Sequence, residues 1–305
     1  MNSNIPEVSV IIPSHNRADL VPRAVHSVLN QTFTDLECIV IDDASEDDTQ
    51  QVVRSIDDDR LIYLRHETNR HASAARNTGI ARAKGEFIAF LDDDDEWLLD
   101  KLEKQIALIR SSPDSVGMIY SWMDYFNERG ELVKEVHPTL RGNVFRYAID
   151  GQPLGGCPTL VVRRSVVEEV QGFDESLPRG NDGDFIRRVC LNYEVDLIPE
   201  VLVKVHIGHL HERISDHSEQ GIRNAIYGHS IKLTKFRDQL KGYPRQTANI
   251  YANIAFHHGE LGEWGKSLSN YRKAMTTHPF SPQVHSKMYI SFKQFIKKRV
   301  LQWQT

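Results

Sequence analysis

Short apolar runs alternate with segments of helical spacing through the first hundred residues. Val8 to Ile12 is apolar and rich in β-branched residues, and Pro13-Ser14-His15-Asn16 closes it, as expected of a buried strand and a turn. Ala18 to Asn30 places Leu20, Val21, Ala24, Val25, Val28 and Leu29 on one side of a helix. The alternation then repeats: strands at Leu36–Ile41, Leu61–Leu64 and Phe87–Leu91, and helices at about 48–56, 73–83 and 98–110. Strands that are apolar throughout and alternate with helices predict a parallel sheet covered on both faces. Ligands bind such a sheet at the carboxyl ends of its strands.

Beyond Trp97 the alternation weakens, although strands are still expected at Val116–Tyr120 and Thr159–Val162. After about Glu212 only helical patterns remain. Tyr251–Ala255 and Tyr271–Ala274, separated by Gly259 and Gly262 and stopped by Pro279, predict a helical hairpin like one tetratricopeptide-type unit. One unit makes no solenoid, and the bland reading is a helical extension of the main domain. The resulting division is a domain over 1–211, in two halves (6–110 and 111–211), followed by a helical extension over 212–305.

The run Phe87–Leu91 ends abruptly in Asp92-Asp93-Asp94-Asp95. Four adjacent anions at one strand end repel one another and call for a cation. Oxygen ligands suit a hard divalent ion, Mg²⁺ or Mn²⁺, which commonly shares its coordination with substrate phosphates. The competing reading is a solvated acidic turn. A formal net charge of −5 at pH 7 gives no basic surface for nucleic acid. Cys38, Cys157 and Cys190 are too widely spaced for a disulfide framework or a zinc site. No apolar stretch approaches the about 18 residues needed to cross a bilayer. The expected location is the cytoplasm, with peripheral contact to the inner face of the membrane as an option.

Four motifs in order resemble the family 2 glycosyltransferases, whose catalytic domain has the GT-A fold: Val8 to Arg17, Ile41-Asp42-Asp43-Ala44-Ser45, Ala74-Ala75-Arg76-Asn77-Thr78-Gly79, and Phe90 to Asp95. A fifth, Gly172-Phe173-Asp174-Glu175 followed by Asn181 to Phe185 and Arg187, resembles the acceptor-side segment of that family. The resemblance covers residues 6 to 210. It implies an α/β fold with a Rossmann-like, mainly parallel sheet, and an inverting transferase using a nucleoside-diphosphate sugar, UDP-sugar by preference. Pro13, His15 and Arg17 would lie against the nucleotide, with Arg17 at a phosphate. Asp43 would accept the uracil N3–H. Arg76 would pair with the diphosphate, or else form a surface ion pair.

On the same register Asp94 binds the metal that bridges the diphosphate, while Asp92 and Asp93 approach the ribose or metal-bound water. Asp95 is free to start the next helix. Trp97 either anchors the core or stacks on ligand. Asp182 aligns with the base that deprotonates the acceptor, with Asp184 as the other candidate. The family commonly has Glu where this chain has Asn181. The implied partners are a nucleotide-sugar donor and a glycan or lipid-linked acceptor of the cell envelope.

Other features have open readings. His206, His209 and His211 are either metal-side or solvated loop histidines, and Gly155–Thr159 is a small-residue turn that an acceptor could approach. Phe292 to Trp303, with Lys293, Lys297, Lys298 and Arg299, reads as a basic amphipathic helix that rests on a membrane or packs on its own domain. The Q-x-x-R-W motif of the processive synthases is missing, which argues for single addition. A nucleotidyltransferase is the alternative within the same chemistry, but Pro13-Ser14-His15 stands where its glycine-rich loop would be. A non-catalytic nucleotide-sugar binder with a partner-recruiting tail is the alternative outside it.

Overall fold

A computed structural model describes residues 5–208 and 218–303, with side chains to residue 296. His209, His211 and the side chains of Lys297, Lys298, Arg299 and Trp303 lie outside the described residues. The chain divides into two compact units, one of Met1–Ser176 and Asn181–Leu210, the other of Leu177–Gly180 and His211–Thr305.

The first unit runs β1 (Val8–Ser14), α1 (Val21–Leu29), β2 (Leu36–Asp42), α2 (Thr49–Arg54), β3 (Leu61–Arg65), α3 (His71–Arg82), β4 (Phe87–Phe90), β5 (Glu96–Trp97), α4 (Lys101–Ser111), β6 (Val116–Phe126), β7 (Leu132–Val136), α5 (Phe145–Ile149), β8 (Val161–Arg163), α6 (Arg164–Glu169), α7 (Asn181–Asn192) and β9 (Glu194–His206). One sheet has the order β3-β2-β1-β4-β8-β6-β9-β5, with β7 also paired to β6. The strands β3, β2, β1 and β4 are parallel. Beyond β4 the sheet is mixed: β8 runs antiparallel between β4 and β6, β9 is parallel to β6, and β5 and β7 are antiparallel. Every residue of β1, β2 and β4 is buried, as a sheet covered on both faces requires.

Two helices cover the parallel strands by different means. α1 presents Val21, Ala24, Val25, Val28 and Leu29, with Pro22 in its first turn, where the missing N–H costs nothing. α3 presents small residues, Ser73, Ala74, Ala75 and Gly79, and so lies closer to the sheet. A Cβ on Gly79 would come within 2.5 Å of Ile11 Cγ2 and 2.8 Å of Ile41 Cδ1. That close approach brings Arg76 and Asn77 down to the strand ends.

The stretch after the aspartates differs from expectation. Asp95 does not start a helix, because Glu96 and Trp97 are captured as β5 on the edge of β9, and α4 begins only at Lys101. Trp97 is 2% exposed and its Nε1 donates to Pro158 O at 2.7 Å, which makes it a core anchor. The strand expected at Thr159–Val162 begins two residues later, as β8 (Val161–Arg163), because Cys157–Thr159 is a 3₁₀ turn. β9 and β7 escaped the pattern, since β9 mixes Glu, Asp, Pro and Lys with its apolar residues.

The second unit contains α8 (Glu219–Lys235), α9 (Arg237–Leu240), α10 (Pro244–Glu260), α11 (Trp264–Thr277) and α12 (Pro282–Trp303). α10 and α11 form the expected hairpin around Ala248, Ala252, Ala255, Tyr271, Ala274 and Val284, with Gly262 at φ 75° in the turn. α12 packs one face on this pair: Tyr271 Oη meets Ser291 Oγ at 2.9 Å, and Phe295 meets Trp264 edge-on at 5.0 Å. Along one flank of that packed face Met288, Tyr289, Phe292 and Ile296 are exposed. Among the described residues, no helix is long and apolar enough to cross a membrane.

Lys101 is fully buried, its Nζ lies 3.8 Å from the centre of the Trp97 ring, and it has no hydrogen-bond partner. Burial holds its pKa well below that of a solvated lysine. Below pH 10.5 the unfolded chain therefore binds a proton that the native chain binds only at lower pH, so native stability falls as pH drops toward the folded pKa. Lys101→Met should raise the unfolding free energy at pH 7 by about 1–3 kcal/mol. It should also flatten the rise of stability between pH 7 and 10, as read by urea denaturation.

Candidate active site

The loops after β1 and β2 are laced together. Asn16 adopts φ 53°, which places its N–H on Ser45 Oγ at 2.8 Å and its Oδ1 on the Glu46 N–H at 2.7 Å. Ser45 N in turn donates to Asp42 Oδ1 at 2.7 Å. Asn and Asp tolerate this left-handed conformation and bond locally. Pro13 lies within β1 opposite Ile41, past the last β4 pairing at Ile11, so no ladder bond on the β4 side needs its missing N–H. His15 lies beside Asn16, Nε2 to Nδ2 3.2 Å, and its Nδ1 is buried without a partner.

Asp43 is buried at the end of β2. Its Oδ1 accepts from His66 Nδ1 at 2.6 Å and from the Arg70 N–H at 2.9 Å, and His66 Nε2 reaches Thr78 Oγ1 at 2.8 Å. These bonds fix the carboxylate and leave its second oxygen for another donor. His66 was not singled out by sequence, although its place just after β3, at a strand's carboxyl end, was a usable signal.

The acidic run is balanced by guanidinium groups. Arg76 Nη2 donates to Asp92 Oδ1 at 2.6 Å, while its ring-facing side lies over Phe173 at 5.3 Å. Arg17 Nη1 meets Asp94 Oδ2 at 3.4 Å, and Arg23 Nη2 donates to the Asp94 carbonyl at 2.5 Å. Arg23 is a second residue that sequence reasoning missed, being one of three polar positions, with His26 and Ser27, on the side of α1 away from its apolar stripe. The balance is incomplete: burial, reinforced by Asp94, raises the Asp93 carboxyl to about 7. Burial also raises Asp92, with Arg76 opposing the shift and Asp94 adding to it. Asp95 Oδ1 accepts the His206 N–H at 3.3 Å. Among the described residues, the four aspartates do not bring three ligand atoms within 4.8 Å of one another. A divalent ion there would take one or two protein oxygens and complete its shell from a diphosphate and water, as Mg²⁺ and Mn²⁺ commonly do. Too much buried negative charge and too few positive partners fit such a group.

α7 starts at Asn181, earlier than the expected start near Asp184. Asn181 Nδ2 donates to Ser73 Oγ at 2.9 Å and its Oδ1 accepts the Asp182 N–H at 2.8 Å, so the amide joins α7 to α3. Asp182 is half-buried and near enough to act electrostatically on Arg76, Asp92 and Cys157. Asp184 is 2% exposed and accepts from Arg188 Nε at 2.8 Å, a structural ion pair one helical turn apart. The thiol of Cys157, in the small-residue turn, is pushed up by burial. His206 lies beside Glu96, Nε2 to Oε2 3.3 Å, and its pKa is lowered by burial and by Arg23.

Arg17, Arg76, Asp92, Asp93, Asp94 and Asp182 are thus brought together by ion pairs and electrostatic contact, while Pro13, His15 and Asp43 lie at the carboxyl ends of β1 and β2. The family described as Glycosyl transferase family 2 matches residues 9–170, more than half of the chain. The chain belongs to this family. Rickettsia conorii RC0461, an uncharacterized glycosyltransferase, is 34% identical over 207 residues, which are 67% of this chain and 33% of that protein. This chain thus spans a third of the length of that relative. The Escherichia coli protein WfgD, a UDP-Glc:alpha-D-GlcNAc-diphosphoundecaprenol beta-1,3-glucosyltransferase, is 37% identical over 131 residues, covering 43% of this chain and 51% of that protein. Among solved structures, S. aureus TarS 1-349 in complex with UDP-GlcNAc superposes with a TM-score of 0.62 at 17% identity, over 90% of this chain and 91% of that one. The mannosyltransferase PcManGT from Pyrobaculum calidifontis, in complex with GDP-Man and Mn²⁺, gives 0.60 at 18% identity, over 99% and 84%. These superpositions establish the GT-A fold of this family 2 chain.

Asp182 and Asp184 should separate cleanly by stability. Asp184→Ala leaves the largely buried Arg188 with the Val170 carbonyl but without its carboxylate and should cost about 3 kcal/mol. Asp182→Asn, at an open helix start, should stay within about 1 kcal/mol of the parent. Thermal denaturation of both variants at pH 7 checks this.

Proposed function

We propose that this protein is a metal-dependent, inverting glycosyltransferase that moves a sugar from a UDP-sugar to a hydroxyl of a lipid-linked envelope glycan, with residues 1–211 as the transfer domain. The observation that carries this reading is the position of Asp182 at the start of α7, in electrostatic range of Arg76 and Asp92. A base placed opposite a diphosphate site is what single displacement needs. Asp182 takes the proton of the acceptor hydroxyl as its oxygen bonds the anomeric carbon, the bond from that carbon to the diphosphate oxygen breaks, and UDP leaves with the bonding pair. One displacement inverts the anomeric centre.

Asp94, with Asp92 or Asp93, would hold Mn²⁺ or Mg²⁺, which neutralises charge on the diphosphate. The chain's own residues do the rest of the donor work. Arg76 Nε and His15 Nδ1 are buried without partners, and buried polar atoms are nearly always paired, so a phosphate-bearing ligand is a reasonable completion. Arg17, now on Asp94, is the residue best placed to turn to phosphate. The second oxygen of Asp43 suits the uracil N3–H. The UDP-GlcNAc bound by TarS, the UDP-Glc named for WfgD and the Mn²⁺ of PcManGT support this assignment, and the diphosphoundecaprenol acceptor of WfgD supports a lipid-linked one. A lipid-linked acceptor also gives the exposed face of α12, Met288, Tyr289, Phe292 and Ile296 beside Lys293, a use as a peripheral contact with an anionic bilayer.

Calorimetric titration of UDP should show binding that requires Mn²⁺ and is lost in Asp94→Ala. Metal-independent binding that survives this substitution would remove Asp94 from the role of ligand. Asp182→Asn should keep UDP affinity within twofold and lower transfer by about 10²–10⁴-fold. Full transfer by that variant would sink the assignment of the base.

A further inference from the structure

The polar face of the β6–β7 hairpin carries a group of side chains that plays no part in the proposed reaction. β6 and β7 are antiparallel, and Asp124 is the register partner of Glu135. Like charges directly opposite each other destabilise a strand pair, so this pairing needs a compensating cation. His137 lies two residues beyond Glu135, on the same face of the strand. Its Nε2 is 2.8 Å from Asp124 Oδ1. The imidazole is held in place by Trp122, whose ring stacks on it at 4.5 Å between centroids and 22° between planes. Trp122 is itself pinned by a hydrogen bond from Nε1 to Pro138 O at 2.9 Å.

We propose that Asp124, Glu135 and His137 form a divalent-cation site, separate from the acidic run, that takes an ion of the Zn²⁺ class and clips β7 to β6. Among the described residues, this is the one group in which three such ligand atoms lie within 4.8 Å of one another. Two carboxylates and one neutral imidazole balance the charge of a divalent ion, and a mixed nitrogen and oxygen set suits Zn²⁺ better than Mg²⁺. Tetrahedral Zn²⁺ with bonds of about 2.0–2.2 Å places its ligand atoms roughly 3.3 Å apart. Asp124 and His137 are already near that spacing. Glu135 is exposed and has no hydrogen-bond partner among the described residues, so it closes the remaining distance by a rotamer change. Three protein ligands leave a fourth position for water. The ion would add a cross-link where the fold is thin: among the described residues β7 pairs only with β6, and Leu132 and Val133 are about half exposed.

The test is Zn²⁺ uptake by the full chain carrying Asp94→Ala, which removes the ligand proposed for the other ion, followed by equilibrium dialysis and metal analysis. Glu135→Gln and His137→Gln, each added to that background, should remove one equivalent of Zn²⁺ that the background binds. Zn²⁺ should also slow amide hydrogen exchange in residues 132–136 of the background but not of these variants. Because Glu135 is exposed, Glu135→Gln should melt with the background in the absence of metal, which separates loss of the site from loss of the fold. Uptake unchanged by both substitutions would assign any bound Zn²⁺ to other surface histidines and overturn the site. Equal exchange rates with and without Zn²⁺ would overturn the clip.

Discussion

The fold gathers carboxylates at the end of β4, and this concentration of negative charge constrains everything around it. Asp93 is buried, and Asp94 and Asp92 beside it add to the cost of ionising it. Three arginines from three places in the chain offset that cost. Arg17 comes from the loop after β1, Arg23 from α1 and Arg76 from α3. Each arrives only because its own element is held. The loop depends on the left-handed Asn16, α1 on its apolar stripe against the sheet, and α3 on the missing side chain of Gly79. Local backbone choices far apart in sequence therefore meet in one electrostatic balance.

Much of this was legible in the sequence because buried parallel strands are uniformly apolar and short. β1 to β4 and their helices could be read to within a few residues, and the rule that ligands gather at carboxyl strand ends placed Asp43 and Asp92 to Asp94 on one rim. The acceptor half was harder, for physical reasons. β9 is partly solvated and carries Glu194, Asp196, Glu200 and Lys204, so its pattern is neither continuous nor alternating. β5 has two residues and exists only because β9 offers an edge, a tertiary effect with no local signal. Asp182 and Asp184 could not be told apart by spacing. What separates them is the ion pair of Asp184 with Arg188, together with burial.

Asn181 illustrates how a departure from a family pattern can be read. A charged residue was expected at this position, and its replacement raised the question of whether the acceptor side is intact. In the structure the amide uses both of its ends, donating to Ser73 and accepting from the backbone of Asp182. A carboxylate could only accept. The neutral residue thus ties two helices together while adding no negative charge beside Asp182.

Arg17 Nη1 lies 3.4 Å from Asp94 Oδ2. In the proposed reaction a cation held by Asp94 would compete with that guanidinium for one carboxylate, and the guanidinium would turn toward the diphosphate. Metal and diphosphate would then be linked through one side chain that changes partners. Such linkage is reciprocal: each ligand would tighten the other by the same factor.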